Sequence, residues 1–280
     1  MVVFFFFPMT FRKGLSGHLD LVCSLDDRKL SVISKQSFRA PMHISKPWLE
    51  GDTLVVHIVN QTAGLLAGDV IDTNIRVESG ARLLVTTPSA SRAHRTNSGE
   101  ILLRQHFSVA TTGWLEVFPE LFIPQAGTTC RQHTRIDLAP GASLLYIDTL
   151  APGRVASGES FQYNKLDWRT DLFLGERPLV RERSQLIPDA PNLTALRRVF
   201  PNAYYGTVYL ATPNALDETW QELIDLQSDT LWIGISRLTL EAWTIKLLAA
   251  DSLTLRRVIQ IIRQKIYFVL ELPEPSLRKN

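Results

Sequence analysis

The sequence predicts a mainly β protein of stacked antiparallel or solenoid-like strands, with two α-helices in its C-terminal part. Three observations support this prediction: short runs that alternate with period two, a recurring strand–glycine–strand unit, and helical periodicity found only late in the chain. Of its 280 residues, 45% are hydrophobic and 21% are charged, which is ordinary globular composition. An all-β chain of this length often forms one unit, so we predict a single domain.

That domain, residues 1–280, is predicted to have four parts: a leader or N-terminal strand (1–16), a β body (17–190), a mixed part with both helices (191–272) and a loose tail (273–280). The run from Val2 to Phe7 is intensely apolar and is closed by Pro8, which is too short for the apolar core of a secretory signal. We interpret it as a strand, or as untranslated leader if translation starts at Met9.

The β body contains two clear alternating runs. Ile101–Val109 and Arg131–Leu138 each place apolar side chains on one face and polar side chains on the other, as half-buried strands do. Cys130 lies in phase with the apolar face, and Cys23 follows an apolar pair, so we predict that both thiols are buried and inert. Two cysteines give no disulfide framework and favour a reducing compartment.

A weak repeat recurs through the body about every 30 residues. In each repeat an Ile-x-[Val/Leu] or Phe-x-Val strand leads to a glycine and then to a second strand. The first strands begin at Ile75, Phe107 and Ile136, and the glycines that follow them are Gly80, Gly113 and Gly141. Stacked β-units that bury a shared core explain the recurrence. A plain antiparallel meander with glycine turns explains it equally well.

The C-terminal part carries the helical signals. The first predicted helix has its apolar positions at Leu216, Trp220, Leu223 and Ile224. The second is capped by Ser252, with a stripe of Leu255, Val258, Ile259, Ile262 and Ile266 facing inward and Arg256, Arg257, Arg263 and Lys265 facing outward. Between these helices, Leu231–Leu240 and Ala242–Leu248 are predicted strands, and Pro188–Pro201 is predicted to be a long loop or hinge.

Composition and motifs exclude several functions. A net charge of +2 gives no electrostatic case for nucleic acid, and no apolar run approaches the roughly 20 residues that cross a bilayer. The chain has no phosphate-binding, dinucleotide, zinc-protease, C-x-x-C or nucleophile-elbow motif. Its six histidines never pair at metal-ligand spacing, so we expect surface or hydrogen-bonded roles for them. We therefore expect a cytoplasmic protein, and no nucleophile–base or acid–base pair can be located from these motifs.

Three loop-like segments combine glycine with polar residues: Gly64–Asp69, Thr86–Arg92 and Gly153–Glu159. Asp69 is placed to cap a tight turn, and Arg154 with Glu159 to form an ion pair in a glycine-flanked loop. The hydroxyl-rich segment is typical of side-chain-to-backbone turns. Taken alone, these features favour loop architecture.

In this order the segments resemble the UreD family of urease accessory proteins, called UreH in some organisms. The family carries G-G-x-x-x-G-D, then T-T-x-x-x-[ST]-K-x-Y-R, a segment like L-P-x-E-x-I-x-F, and G-R-x-x-x-G-E-x-F. Here these correspond to residues 63–69, 86–95, 118–124 and 153–161. The departures are Ala63 for glycine, Arg92 for lysine, His94 for tyrosine and Pro124 for phenylalanine. The similarity extends from about Gly17 to the C-terminal helix.

The resemblance implies a scaffold without catalysis. Such proteins bind the helical accessory protein UreF, which recruits the GTPase UreG, and the assembly docks on apo-urease; an internal passage is proposed to conduct Ni²⁺. It implies no tightly bound cofactor, only transient Ni²⁺. For the passage we predict Asp69 and Glu159 as transient ligands, with Arg154 positioning Glu159 and with supporting motif residues Gly64, Gly68, Thr86, Thr87 and Gly158.

Two other interpretations stay open at this point. A stacked-β carbohydrate-active enzyme would use a carboxylate pair such as Asp69 and Asp72, but the six tryptophans are scattered rather than gathered along a groove. A structural subunit of another assembly would share the exposed apolar surface that a scaffold needs.

Overall fold

A computed structural model describes residues 14–213, 220–239 and 241–277. The predicted N-terminal strand or leader lies outside these residues. The elements, in chain order, are β1 (Ser16–Leu25), β2 (Ser31–Arg39), β3 (Met42–Ile44), β4 (Trp48–Glu50), β5 (Thr53–Asn60), β6 (Val70–Val77), β7 (Arg82–Thr86), β8 (Ser91–Ala93), β9 (Ile101–Val109), β10 (Trp114–Phe118), β11 (Phe122–Pro124), β12 (Thr129–Leu138), β13 (Ser143–Leu150), β14 (Lys165–Leu174), β15 (Arg177–Leu186), α1 (Pro191–Val199), β16 (Tyr204–Ala211), β17 (Leu231–Thr239), β18 (Ala242–Ala249) and α2 (Ser252–Val269). The fold is mainly β, as the sequence predicts.

The strands form two sheets. Sheet 1 has the order β15-β14-β12-β9-β6-β1-β2, and sheet 2 has the order β17-β18-β16-β13-β10-β7-β5-β3. β4 pairs with β5, while β11 pairs with both β13 and β8. The central strands of both sheets are parallel, and antiparallel pairs occur toward the edges.

The predicted repeat is the stacking unit of this fold. Ile75 is the in-register partner of Phe107, and Phe107 is the partner of Ile136, on three parallel strands of sheet 1. The strand after each glycine joins sheet 2, where Leu83 pairs with Leu115 and Leu115 with Leu144. Each unit thus gives one strand to each sheet, and the stacked interpretation is confirmed over the meander.

The two sheets face each other across one apolar core and differ on their outer sides. Sheet 2 is buried on both faces, because a second cluster with Leu145, Ile147 and Val208 packs under α2. Its strand β13 accordingly has an almost continuous apolar sequence, as strands buried on both faces do. Sheet 1 buries only its inner face, so β12 alternates strictly between buried and accessible residues.

The segment Pro188–Pro201 corrects the sequence prediction. It contains α1 rather than only a loop, and Pro191 occupies the first turn of this helix. Proline is tolerated there because an N–H group in the first turn would have no intrahelical partner, and because its fixed φ suits a helix. The helix ends before Pro201, where a second proline cannot continue it.

The first predicted helix is only partly described, since residues 214–219 lie outside the described ranges. Its visible part, Gln221–Leu226, is a 3₁₀ helix rather than an α-helix. The strands predicted between the helices are confirmed as β17 and β18, although Leu240 is not described. Neither α1 nor α2, within the described ranges, is long and apolar enough to span a bilayer.

The second predicted helix is confirmed as α2, with two local differences. Its cap is Asp251 rather than Ser252, because the Asp251 carboxylate accepts a hydrogen bond from the Thr254 amide at 2.8 Å. Arg263 faces inward and is 1% exposed, contrary to the prediction that it faces solvent. It is one turn from Ile259 and Ile266 on a buried stripe wider than the sequence pattern indicated, and its charge is met by Glu116 of β10.

The predicted division into four parts stays a prediction. The segment assigned as a loose tail does make contacts where it is described. Glu274 and the Pro275 carbonyl accept hydrogen bonds from Arg263, and the Leu277 carbonyl lies 3.2 Å from Nε2 of His57.

Candidate functional site

The first two sequence motifs lie side by side at one edge of the interior. Leu65 forms a parallel β-bridge with Ala93, and its amide donates to the Arg92 carbonyl at 2.8 Å. Gly64 sits at this close approach with φ +146°, where an added Cβ would lie 2.6 Å from the Arg92 carbonyl oxygen. Only glycine fits there without a shift of the backbone.

The third and fourth motifs continue the same stack. β11 pairs in parallel with β8, and the Phe122 carbonyl accepts from the Ala151 amide at 2.8 Å. Thr86 donates its hydroxyl to the Phe118 carbonyl, and Thr87 accepts from the Glu120 amide at 2.9 Å. The four motifs therefore follow one another in space as they do in sequence, because each occupies the connection between sheets in successive stacking units.

Asp69 stabilises a turn through its side-chain carboxylate. It is 1% exposed, and its two carboxylate oxygens accept from the backbone amides of Leu15 and Leu66, each at 2.8 Å. Gly68, with φ +84°, directly precedes it and completes the turn. These bonds supply the capping interaction that the sequence suggested for Asp69.

Glu159 is the partner of Arg154, as the sequence predicts. Its Oε2 accepts from Arg154 Nε at 2.8 Å and from the Ala126 amide at 3.1 Å, and its Oε1 accepts from the second guanidinium nitrogen. The hydrogen bond from Arg154 holds the pKa of Glu159 below its ordinary value. Gly158 ends the short 3₁₀ turn between them in the left-handed conformation. The carboxylate thus joins the fourth motif to the turn after β11.

Two cavities occupy the interior between the sheets, beside the stacked motifs. The larger, about 460 Å³, is lined by residues of the first three motifs and by Gln105, Gln132, Tyr146 and Asp148. The smaller, about 230 Å³, is more apolar and is lined by Pro152, Phe161, Glu182, Tyr205 and the same Tyr146 and Asp148. Because Tyr146 and Asp148 belong to both walls, the two cavities meet at these side chains.

Asp148 is the carboxylate at this junction. Its Oδ2 accepts from Gln132 Nε2 at 3.0 Å, from Trp168 Nε1 at 3.1 Å and from the Tyr146 hydroxyl at 3.5 Å. Burial in the protein interior raises the pKa of Asp148, and the donated hydrogen bonds offset this only in part. Its side chain lines both cavities.

A second acidic group closes the far side of the smaller cavity. Glu182 accepts from the Tyr209 hydroxyl at 2.6 Å and forms an ion pair with Lys246. Burial alone would raise the pKa of Glu182, but the bonds from Lys246 and Tyr209 hold it below its ordinary value. Of the two carboxylates that line the smaller cavity, Glu182 is therefore neutralised by a lysine, whereas Asp148 forms no ion pair with any described residue.

Comparison with known proteins identifies the family of this chain. The model of the family described as UreD urease accessory protein matches residues 15–278. The chain belongs to the UreD family. It is 40% identical over 252 residues to the urease accessory protein UreD of Opitutus terrae, covering 89% of this chain and 93% of that protein. It is 30% identical over 248 residues to the UreD of Herpetosiphon aurantiacus, covering 87% and 85%. The UreD of Klebsiella pneumoniae is 29% identical over 256 residues, covering 90% of each chain.

For this UreD-family chain, the structure keeps the predicted nickel ligands apart from the cavities. Asp69 and Glu159 hold different turns, and neither is among the residues that line the two cavities. Their hydrogen bonds favour the structural interpretation, and nickel contact at these residues stays a prediction. Gly64, Thr86 and Thr87, by contrast, do line the larger cavity.

The sequence did not single out Asp148 or Glu182. The sequence did contain one signal, which is the position of the Asp148 carboxylate inside the apolar strand β13. A charged group in such a strand needs hydrogen-bond donors or access to an internal cavity. The predicted burial of the thiols is confirmed: both cysteines are buried, and burial raises the pKa of Cys23 to about 12. Among the described residues, no three His, Cys, Asp or Glu side chains are grouped so that they could hold a metal ion.

The carboxylate pair of the enzyme interpretation is not assembled. Asp69 is held by backbone amides, whereas Asp72 lies on the outer side of sheet 1 and binds Arg104 Nε at 2.6 Å. A glycosidase needs two carboxyl groups that flank one bond of the substrate. These two groups are held on separate partners and do not meet that requirement.

Proposed function

We propose that this chain serves urease maturation as a non-catalytic cytoplasmic scaffold, and that its interior conducts Ni²⁺ toward apo-urease. In this proposal it binds a UreF-like helical protein, through which a UreG-like GTPase is recruited. Membership of the UreD family supports the role in urease maturation. The observation that carries the conduit is the pair of cavities meeting at Asp148.

The chemistry of that junction suits a passing cation. Ni²⁺ accepts oxygen and nitrogen ligands, and a conduit must hold the ion weakly enough to release it. Asp148 supplies one carboxylate, with the amide of Gln132 and the hydroxyl of Tyr146 beside it. One anionic ligand with neutral oxygen neighbours attracts a divalent cation without forming a tight four-ligand site.

The scaffold part is tested by purifying the tagged chain from cells that express the urease subunits and accessory proteins. Recovery of urease subunits with a helical accessory protein and a small GTPase is the expected result. Recovery of a soluble, monomeric chain without partners would contradict the scaffold. Asp69→Ala and Glu159→Ala extend this test: lower activation in an intact complex supports nickel contact, and loss of the complex supports their structural roles.

A further inference from the structure

The outer side of sheet 1 carries a layer of arginines that the proposed conduit does not use. We define the arginine face as Arg76, Arg104, Arg131, Arg135, Arg169, Arg181 and Arg183, on strands β6, β9, β12, β14 and β15. More than half of each side chain is exposed for the three arginines on β12 and β14 and for Arg183, at 52–57%. We propose that this face docks a carboxylate-rich surface of a partner protein in the urease-maturation assembly.

Two acidic residues of this face, Asp167 and Asp171, lie beneath the arginines. Asp167 and Asp171 are 3% and 5% exposed. Arg183 binds Asp167 through two nitrogens at 2.8 and 2.7 Å, and Arg169 Nε binds Asp171 at 2.7 Å. Guanidinium groups therefore form much of the outer layer of this sheet, with the carboxylates of Asp167 and Asp171 below them.

Bidentate contacts with Asp167 and with Asp137 also orient arginines for a partner. A bidentate contact such as Arg183 with Asp167, or Arg135 with Asp137 at 2.8 Å twice, occupies one edge of the guanidinium. The remaining N–H groups point away from that carboxylate and are free to donate. Guanidinium is the side chain best suited to bind carboxylates in this planar way.

The arginines also form a row of like charges across neighbouring strands. Arg169 and Arg183 are directly opposite on β14 and β15, and the row continues through His133 to Arg104. Like charges directly opposite each other destabilise a sheet. A carboxylate-bearing surface laid across this row would offset that repulsion.

The occupant is a protein rather than a nucleic acid on two grounds. The Asp137 and Asp72 side chains remain 31% and 36% exposed among the arginines, where they would repel a phosphate backbone but can pair with cations of a mixed protein surface. The aromatic ring of Phe173 is covered by the guanidinium groups of Arg135 and Arg181, 4.6 and 5.8 Å from its centroid, so it offers no stacking platform for bases.

The test uses the full chain and two variants with the same change in net charge. The face variant is Arg76→Glu, Arg131→Glu and Arg181→Glu, chosen because these arginines are not the bidentate partners of the buried aspartates. The control variant is Arg28→Glu, Arg198→Glu and Arg257→Glu, at exposed positions outside the strands of sheet 1. Thermal unfolding of both variants checks that the fold is kept.

The first readout is elution by salt from immobilised poly-L-glutamate and from duplex DNA. We expect the face variant to elute from polyglutamate at a clearly lower salt concentration than the control variant. Equal elution of the two variants, or tighter retention of the original chain on DNA than on polyglutamate, would overturn the proposal.

The second readout is capture of urease apoprotein by each chain, and its interpretation as docking rests on the proposed function. We expect the face variant to capture urease about tenfold less than the control variant, with the difference shrinking in high salt. Equal capture overturns the role of this face. If even the original chain captures no urease, the proposed function fails, and the polyglutamate comparison still decides whether the face binds carboxylates.

Discussion

Gln132 and Asp148 join the two sheets across the interior. The side-chain amide of Gln132, on β12 of sheet 1, donates to the Asp148 carboxylate, on β13 of sheet 2, at 3.0 Å. This bond lies where the two cavities meet, so the same carboxylate closes the gap between the sheets and faces the internal space. The proposed function therefore needs a carboxylate at position 148, whereas the stability of the fold favours a neutral side chain there.

We predict that Asp148→Asn stabilises the protein at neutral pH. Burial raises the pKa of Asp148, so its ionised form opposes folding, while the amide oxygen of asparagine can keep the hydrogen bonds from Gln132 and Trp168. An increase of a few degrees in Tm is expected, since about 1 kcal/mol shifts the Tm of a domain of this size by about 2–4 °C.

The direction of this stability change can be tested by varying the pH. Because the pKa of Asp148 is raised in the folded state, ionised Asp148 lowers the free energy of unfolding at pH values above that pKa. This loss of stability is gone below the ordinary pKa of 3.8. The advantage of Asp148→Asn in urea unfolding should accordingly vanish as pH falls toward 3. A variant less stable than the original chain at neutral pH would show that the carboxylate is needed for folding.

Asp69→Asn is expected to destabilise the protein. Both carboxylate oxygens accept backbone hydrogen bonds, and the asparagine NH₂ would oppose one of the two amides, Leu15 or Leu66. An unsatisfied buried donor costs about 1–3 kcal/mol. Urea denaturation measures this cost, with Asp20→Asn on the solvent side of β1 as the control. Unchanged stability would contradict the structural role of Asp69.

The attachment of α2 depends on a buried ion pair. Arg263 Nε binds Glu116 Oε1 at 2.5 Å, and both side chains are at most 1% exposed. Glu116→Leu removes the fully buried partner of Arg263, which keeps only the partly exposed Glu274 as an anionic partner, and is predicted to cost about 3–5 kcal/mol. The double variant with Arg263→Leu should lose much less than the sum of the two single variants. Additive losses in a double-mutant cycle would exclude this coupling.

The aspartates beneath the arginine face predict an acid-sensitive contribution to stability. Hydrogen bonds from Arg183 lower the pKa of Asp167 from 3.8 to about 2. A depressed pKa contributes stability that is present above the ordinary value and is lost as pH falls toward 2. Asp167→Asn should therefore be less stable than the original chain at pH 7, with the difference disappearing near pH 2. An equal difference at both pH values would contradict this assignment.

The repeat shows what the sequence can predict about this fold. The pattern at Ile75, Phe107 and Ile136 identified the stacking unit because residues at the same place in each unit pair in register. α1 was missed because Pro191 was interpreted as a loop signal, although proline also begins helices. Arg263 was misplaced because the sequence does not show which strand supplies a partner, and Glu116 is distant in the chain.

The candidate site was predictable only in outline. The motifs with Gly64, Thr86 and Thr87 were identified, and they do line the larger cavity. Asp148 was not, because its role depends on Gln132, Trp168 and Tyr146 converging from other strands. Which carboxylate faces an internal cavity is a property of the packing between sheets, and alternation within one strand does not reveal it.

The most direct test of the conduit is the nickel content of urease matured with each chain. Cells express apo-urease and the accessory proteins with the original chain, with Asp148→Asn or with the control Asp20→Asn, and urease is purified and its nickel counted per active site. We expect Asp148→Asn, in an intact complex, to lower nickel occupancy and activity several-fold, while Asp20→Asn leaves both unchanged. Full nickel occupancy with Asp148→Asn would contradict the passage of nickel along this carboxylate.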